Sequence, residues 1–394
     1  MTESQSLTAR IGAGLREAIR GNWWLSLLAV VASFVVGGIL IAVANHDVQT
    51  TGGYLFSRPG DFFSALWNAV FGAYDALFRG SVFNYKAAEF AGAIKPITET
   101  LAYATPITMA GLGLAVAFRS GLFNIGGTGQ IVFGAMFAGW VGIYVDLPWA
   151  IHFPLAVLAG IVGGALFGGL VGLLKATTGA NEVIVTIMFN YIAALLLNYL
   201  LKTPFFQAPN AVNPISPPVH DSAKYPLFLG TDYRLHAGLI AMLLATWFTW
   251  WLLFRSSLGF QFRALGQNPS AARTAGINIG FTYTAVMAVS GALAGLAGSS
   301  QILGTEGMLT VGVAGSYGFD AITVALLGRN NPWGVLAAGL LFGGLRAGAV
   351  TMQANQGVPI DIVAIVQSMI VLFIAAPPLV RTIFRIREKR VEAK

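Results

Sequence analysis

Residues 255–280 hold the most chemically legible spacing in the chain. Asn268 is followed by Pro269, an N-cap residue and a residue pre-set for the first helical position, and Gly276 suits the left-handed residue that ends a helix. The spacing predicts a capped helix of about two turns over 269–275, exposing Ser270, Ala271, Ala272 and Ala275, with Arg273 available to an acidic residue. Small side chains let a partner's surface come close. A solvated connector would need neither caps at both ends nor a run of small residues, so recognition of another chain is the expected chemistry, with Arg263 and Gly266 leading into the helix.

A second group consists of polar residues inside or at the edges of apolar runs, where they are costly and tend to have functions. Glu99 and Gln130 lie in the N-terminal half, Asn181, Glu182 and Asn190 around the middle, and Asp320, Arg346, Gln353 and Asp361 towards the C-terminus. Several of them read first as helix caps or interhelical glue, Asn181 as an N-cap with Glu182 favoured by the helix dipole. Phe189 and Phe319 could stack on a flat ligand ring, although among 27 phenylalanines the default is lipid or core contact.

Catalysis finds no constellation. His46, His152, His220 and His236 show no metal-like spacing, and neither an HExxH pattern nor a nucleophile elbow occurs. Gly126-Gly127-Thr128-Gly129-Gln130 is glycine-rich but lacks the Lys and Ser/Thr that hold phosphates and Mg²⁺, so any ATP is expected on another chain, and no cofactor or metal on this one.

The composition names the solvent of these residues. Only 10% of 394 residues are charged, against about 25% in an average soluble domain, while 56% are hydrophobic and mean hydropathy is +0.71. A soluble globule, a disordered chain and, with no Cys, a disulfide scaffold are excluded; an all-α integral membrane protein is expected. Ten apolar runs reach or approach the roughly 20 residues that cross a bilayer: 23–44, 97–118, 125–145, 149–174, 182–201, 235–254, 281–303, a short 317–327, 333–350 and 360–380. The first reads as an uncleaved anchor, longer than a signal-peptide core. Residues 45–95 carry Phe62, Phe63, Leu66, Trp67, Val70, Phe71 and Tyr74 at helical intervals and read as an amphipathic extracytoplasmic segment; six prolines keep loop 202–234 non-helical.

Alternating the runs from a cytoplasmic N-terminus (1–22) places Arg10, Arg16, Arg20, Arg119, Lys175, Arg255, Arg263, Arg273, Arg329 and the basic tail 381–394 on one side. The other side holds Arg58, Arg79, Lys86, Lys95, Lys202, Lys224 and Arg234, so both termini are expected in the cytoplasm. The +7 net charge is thereby a topology signal and not a nucleic-acid signature. Leu166-Phe-Gly-Gly-Leu170 recurs as Leu341-Phe-Gly-Gly-Leu345, the same displacement sets Ile107 against Thr282, and a close one sets Glu182 against Asp361. Together these predict that segments 2–5 and 7–10 form an inverted internal repeat. Gly160, Gly164, Gly168 and Gly172 recur every four residues, as helix-packing faces do.

Gly121-Leu-Phe-Asn-Ile-Gly-Gly-Thr-Gly-Gln130, Gly179-Ala-Asn-Glu-Val-Ile-Val-Thr-Ile-Met-Phe-Asn-Tyr191, Arg263 through Ile277 and Leu327-Gly-Arg-Asn-Asn-Pro332 resemble bacterial ABC-importer permeases of the branched-chain amino acid/ribose type, above all those serving nucleoside uptake. The resemblance covers roughly residues 95–380; Thr128 departs from it, since many relatives carry Glu there. It implies a type II importer-like permease domain over 96–380, with residues 269–275 as the coupling helix. The partners it implies are two cytoplasmic ATPases carrying ATP and Mg²⁺, a second homologous permease and an extracytoplasmic substrate-binding lipoprotein. The implied cargo is a small polar solute, nucleosides first and ribose-like sugars as the alternative. Asn124, within the first motif, joins Glu99, Gln130, Asn181, Glu182, Phe189, Asn190, Phe319, Asp320 and Gln353 as substrate-path candidates. The competing class, an ATP-independent channel or carrier, would call for a paired intramembrane carboxylate relay, and none stands mid-run. On this reading Ala272→Trp abolishes uptake.

Overall fold

Each of the ten apolar runs becomes a helix, with boundaries set by caps and prolines. The computed structural model describes residues 23–376 and Leu379, and is all-helical, without strands, among them. The expected cytoplasmic N-terminus 1–22, with Arg10, Arg16 and Arg20, and the basic tail 381–394 lie outside the described residues. In chain order the α-helices are α1 (Trp23–Ala44), α2 (His46–Gly52), α3 (Pro59–Ser81), α4 (Phe90–Arg119), α5 (Gly127–Tyr144), α6 (Trp149–Thr178) and α7 (Glu182–Leu200). They continue as α8 (Gly238–Arg255), α9 (Ser257–Gln267), α10 (Pro269–Thr274), α11 (Ile279–Ser300), α12 (Tyr317–Leu327), α13 (Pro332–Gln356) and α14 (Ile360–Ala375).

Seven helices among the described residues are long and apolar enough to cross a membrane: α1, α4, α6, α7, α8, α11 with its π-helical continuation Gln301–Glu306, and α13. α5, α12 and α14 do not meet that measure, so ten full spans do not follow from length and composition. The expected extracytoplasmic block 45–95 is not one element either. It divides into α2, α3 and the first turn of α4, which starts at Phe90 and carries Pro96 within its body.

The chain separates into two units, the division falling within α3 and within α13. In the unit made of residues up to 75 and from 352 onward, α1 packs on α14 through Ala29, Ala32 and Phe373. The Tyr74 hydroxyl of α3 donates to the Phe34 carbonyl of α1. Phe63, Trp67 and Phe71 stay more than half exposed, so only one edge of the predicted stripe is covered. An apolar groove of about 910 Å³ runs between α1 and α3.

The unit of residues 76–351 is built on glycine faces. Gly160, Gly164, Gly168 and Gly172 of α6 all lie against α11, meeting Ser299, Gly295, Gly291 and Thr284. Gly134 of α5 meets Gly295 from another side, and Gly113 of α4 meets Ser290. α11 is thus seated among α4, α5 and α6. α4 in turn lies against α12 through Gly111 and Ala321, and against α13, where Gly339 and Gly343 reach Thr108 and Ala104. Loop 202–234 has one 3₁₀ turn, Asp221–Ala223, and is pinned by Val219 N–H on the Gly307 carbonyl and His220 N–H on the Gly142 carbonyl.

Candidate functional site

The loop after α8 folds as two short helices. Ser256 caps α9 by accepting from Gly259 N at 2.9 Å, an element the sequence reading missed although Ser is a favoured N-cap. Asn268 caps α10 by accepting from Ser270 N at 3.0 Å and Ala271 N at 3.1 Å, Pro269 holds the first position, and Gly276 takes φ +83°. Ser270, Ala271, Arg273 and Ala275 are exposed. Ala272 is not: it is 4% exposed and packs with Leu265 and Ile279, so the expected four-residue docking face loses one member. The reason is geometric, since a helix of fewer than two turns lying on α9 must bury one of its sides. Arg263 also faces the chain itself, its guanidinium 5.7 Å from the Phe254 ring that Arg119 covers at 4.7 Å. Gly266 lies against the Arg119–Gly121 turn, where a Cβ would fall 3.0 Å from Gly121 N.

That turn leads into a buried polar node. Asn124, fully buried, donates to Gln130 Oε1 at 3.1 Å and Ser290 Oγ at 2.9 Å, and accepts from Gly126 N at 2.8 Å. Asn190 of α7 donates to the Ile125 carbonyl at 2.9 Å and accepts from Gly129 N at 2.8 Å. Two asparagines thus replace the backbone partners that an irregular stretch inside an apolar unit would otherwise lack. The first turns of α5 and α12 meet beside the node, Gly318 packing on Gly127 and Thr128. Asn124→Ala leaves Gln130, Ser290 and Gly126 N–H short of partners and is expected to destabilise the protein by about 3 kcal/mol. Asn181→Ala, which removes an exposed cap to Val183 N and Ile184 N, is expected to cost about 1 kcal/mol. Thermal unfolding in detergent measures the difference.

Of the other candidates, Glu182 pairs with Lys175 at 2.6 Å and accepts from Phe123 N at 3.5 Å. The Phe189 ring stands 4.9 Å from Phe167, and Phe319 is 59% exposed. Gln353 is exposed and belongs to the unit that contains α14.

Glu99 and Asp320, distant in sequence, meet in one cluster. Arg346 of α13 donates to Asp320 Oδ2 at 2.9 Å and to Ser316 Oγ, and Ser316 donates to the same carboxylate oxygen at 2.6 Å. The Arg346 guanidinium lies 4.7 Å from the Tyr317 ring and 5.8 Å from that of Tyr103. From the other direction Arg234 lies 5.4 Å from the Tyr103 ring and 3.4 Å from Glu99 Oε2. Arg346 was legible as a charge inside an apolar run; Tyr103, Arg234 and Tyr317 carry no local pattern that marks them.

Compared with known proteins, residues 97–375 match the family described as branched-chain amino acid transport system / permease component. The guanosine ABC transporter permease protein NupP of Bacillus subtilis is 38% identical over 360 residues, 90% of this chain and 93% of that protein. The glucose ABC transporter permease protein TsgB13 of Haloferax volcanii is 32% identical, covering 89% and 87%. The nucleoside ABC transporter permease protein NupB of Lactococcus lactis is 32% identical, covering 89% of each. No solved structure matches. Permeases of this kind work with ATPase and substrate-binding partners. An all-helical chain with seven spanning-length apolar helices, matched over most of its length by these proteins, therefore belongs to the permease-component family of the branched-chain amino acid transport system, and is a multi-pass membrane permease subunit of an ABC importer.

Proposed function

We propose that this permease translocates nucleosides, the class printed in the names of two relatives aligned over about nine-tenths of the chain. That alignment carries the reading. A hexose is the second reading, favoured by the equally extensive match to the glucose permease of Haloferax volcanii. In the assembled importer two cytoplasmic ATPases supply ATP and Mg²⁺, a second homologous permease completes the pathway, and a lipoprotein delivers solute to the outer mouth. Both termini lie in the cytoplasm, as the distribution of basic residues supports.

The helix arrangement supports ten membrane segments in two inverted copies. α11 lies against α5 and α6, and α4 lies against α12 and α13, which are the counterparts when segments 2–5 are paired in order with segments 7–10. α5 and α12 are also counterparts, and their first turns meet, as discontinuous helices of transporters do at a solute path. The exposed side of α10 docks on the ATPase. Movement there passes through α9 to the Arg119–Gly121 turn and on to the Asn124 node, which binds α5 and α11 together.

Uptake of labelled guanosine and glucose tests the reading in cells lacking this chain and in the same cells complemented with it. Guanosine uptake restored by the chain is the expected result. Restored glucose uptake without guanosine uptake establishes the second reading, and restoration of neither overturns both.

A further inference from the structure

Charged side chains on an apolar helix need a reason. Arg346 sits within a helix whose most apolar 18-residue window has a mean hydropathy of 1.6, where a guanidinium is expensive and tends to be retained for function. A pair kept for stability alone is replaceable by apolar residues at little cost and gains nothing from staying open to solvent. This cluster is only partly covered by its own chain: the side chains of Arg234, Arg346, Glu99 and Asp320 are 43%, 30%, 20% and 18% exposed.

Three properties of the cluster define what it would hold. The two guanidiniums and two carboxylates of its ion pairs cancel, and Glu306 acts on Tyr317 as a further acid, so the cluster does not select an anion. Its acceptors are not saturated: Asp320 Oδ2 takes both hydrogen bonds recorded for that carboxylate, and Glu99 meets Arg234 only through Oε2 at 3.4 Å, leaving Asp320 Oδ1 and Glu99 Oε1 without donors among the described residues. Its half-buried aromatic member, Tyr103, offers ring surface beside the cations, while Tyr317, 7% exposed, backs Arg346 from within the chain. A neutral ligand that donates through hydroxyls, accepts from guanidinium and presents a C–H face to an aromatic ring is a polyhydroxylated ring. Among the described residues no Asn or Gln, the side chains whose amides match the edges of a base, is hydrogen-bonded into the cluster.

Resting on the proposed nucleoside function, we infer that Glu99, Tyr103, Arg234, Asp320 and Arg346 form a station that binds the sugar ring of the passing solute and leaves the base unread. The sugar is also what links the nucleoside and glucose relatives.

The test uses the complete importer, permease with its ATPases, permease partner and binding protein, reconstituted in vesicles. Uptake of guanosine is compared with that of 2′,3′-dideoxyguanosine for the wild type, Asp320→Asn and Glu99→Gln. Because every preparation shares one binding protein, a change in the ratio arises in the permease. The wild type is expected to prefer guanosine. Asp320→Asn is expected to reduce that preference about tenfold, the effect of losing a hydrogen bond to a charged acceptor, while the guanosine-to-adenosine ratio stays unchanged. If Asp320→Asn fails to reach the membrane, Glu99→Gln, which loosens only a 3.4 Å contact, is expected to shift the ratio in the same direction. An unchanged ratio in a variant that transports guanosine overturns the sugar station and leaves the nucleoside function standing. A wild-type importer that moves no nucleoside overturns both.

Discussion

Gly164→Ala is expected to destabilise the protein by about 3 kcal/mol or more, and Gly164→Leu to remove it from the membrane fraction altogether. The cause is the absence of room between α6 and α11. A Cβ on Gly164 would lie 2.6 Å from the Gly295 Cα and closer still to the Gly291 carbonyl, both backbone atoms that cannot rotate away. The only relief is to separate two helices that touch along four turns, which strips the close contact that holds helices together in lipid. Gly295 is also met by Gly134 of α5, so separating one interface loosens a second. The same helix supplies the control. A Cβ on Gly169 has only the Ala288 Cβ near it, at 3.5 Å, an ordinary contact. Gly169→Ala is therefore expected to stay within about 0.5 kcal/mol of the wild type. Membrane-fraction immunoblots and detergent melting curves for the three variants measure the contrast; equal behaviour of Gly164→Ala and Gly169→Ala would show that the interface does not depend on glycine.

These two glycines also mark how far a sequence speaks. Helix existence was legible because an apolar run of membrane length is a local property: α1, α6, α7 and α12 match their expected limits closely. The α6 face was legible because four glycines at four-residue spacing lie on one side of any helix, though the spacing does not name α11 as the partner. Caps at Asn181 and Asn268 were legible since an N-cap reads hydrogen bonds two and three residues ahead. What failed was non-local. Ala272 looked like Ala271 and Ala275, and only the register of α10 on α9 decides that it is the residue covered. Arg346 was visible as an isolated charge, but its neighbours Tyr103 and Tyr317 come from helices far along the chain. α9 was passed over because its weakly apolar, glycine-containing sequence resembles a connector until it is laid against the Arg119–Gly121 turn. Amphipathic α3 was found as a helix, yet the exposure of Phe63, Trp67 and Phe71 depends on what else the unit packs.

The burial of Ala272 changes which substitution reports on coupling. Ala272→Trp would force an indole between α10, Leu265 and Ile279 and dislodge α10 from its own chain, so lost transport would not identify a partner contact. Ala271→Trp is the appropriate variant, because Ala271 is exposed on α10 while its backbone N–H remains capped by Asn268. A tryptophan there adds a large surface to an exposed side on which Ser270 and Ala275 present little bulk. If α10 seats in a groove of the ATPase, the variant is expected to lower uptake at least about 100-fold, the loss that follows when an overpacked interface costs about 3 kcal/mol of docking. It should melt at the wild-type temperature, lose solute-stimulated ATP hydrolysis, and bring down less ATPase on affinity purification. Ala271→Ser, similar in volume, is expected to transport normally. Wild-type stimulation of ATP hydrolysis by Ala271→Trp would place the docking surface elsewhere in the 255–280 loop. The outcome also bears on the buried node: with α10 displaced from the ATPase but α9 still lying on the Arg119–Gly121 turn, Asn124 keeps its bonds to Gln130 and Ser290. The permease would then remain folded and idle, the signature that separates a coupling residue from a structural one.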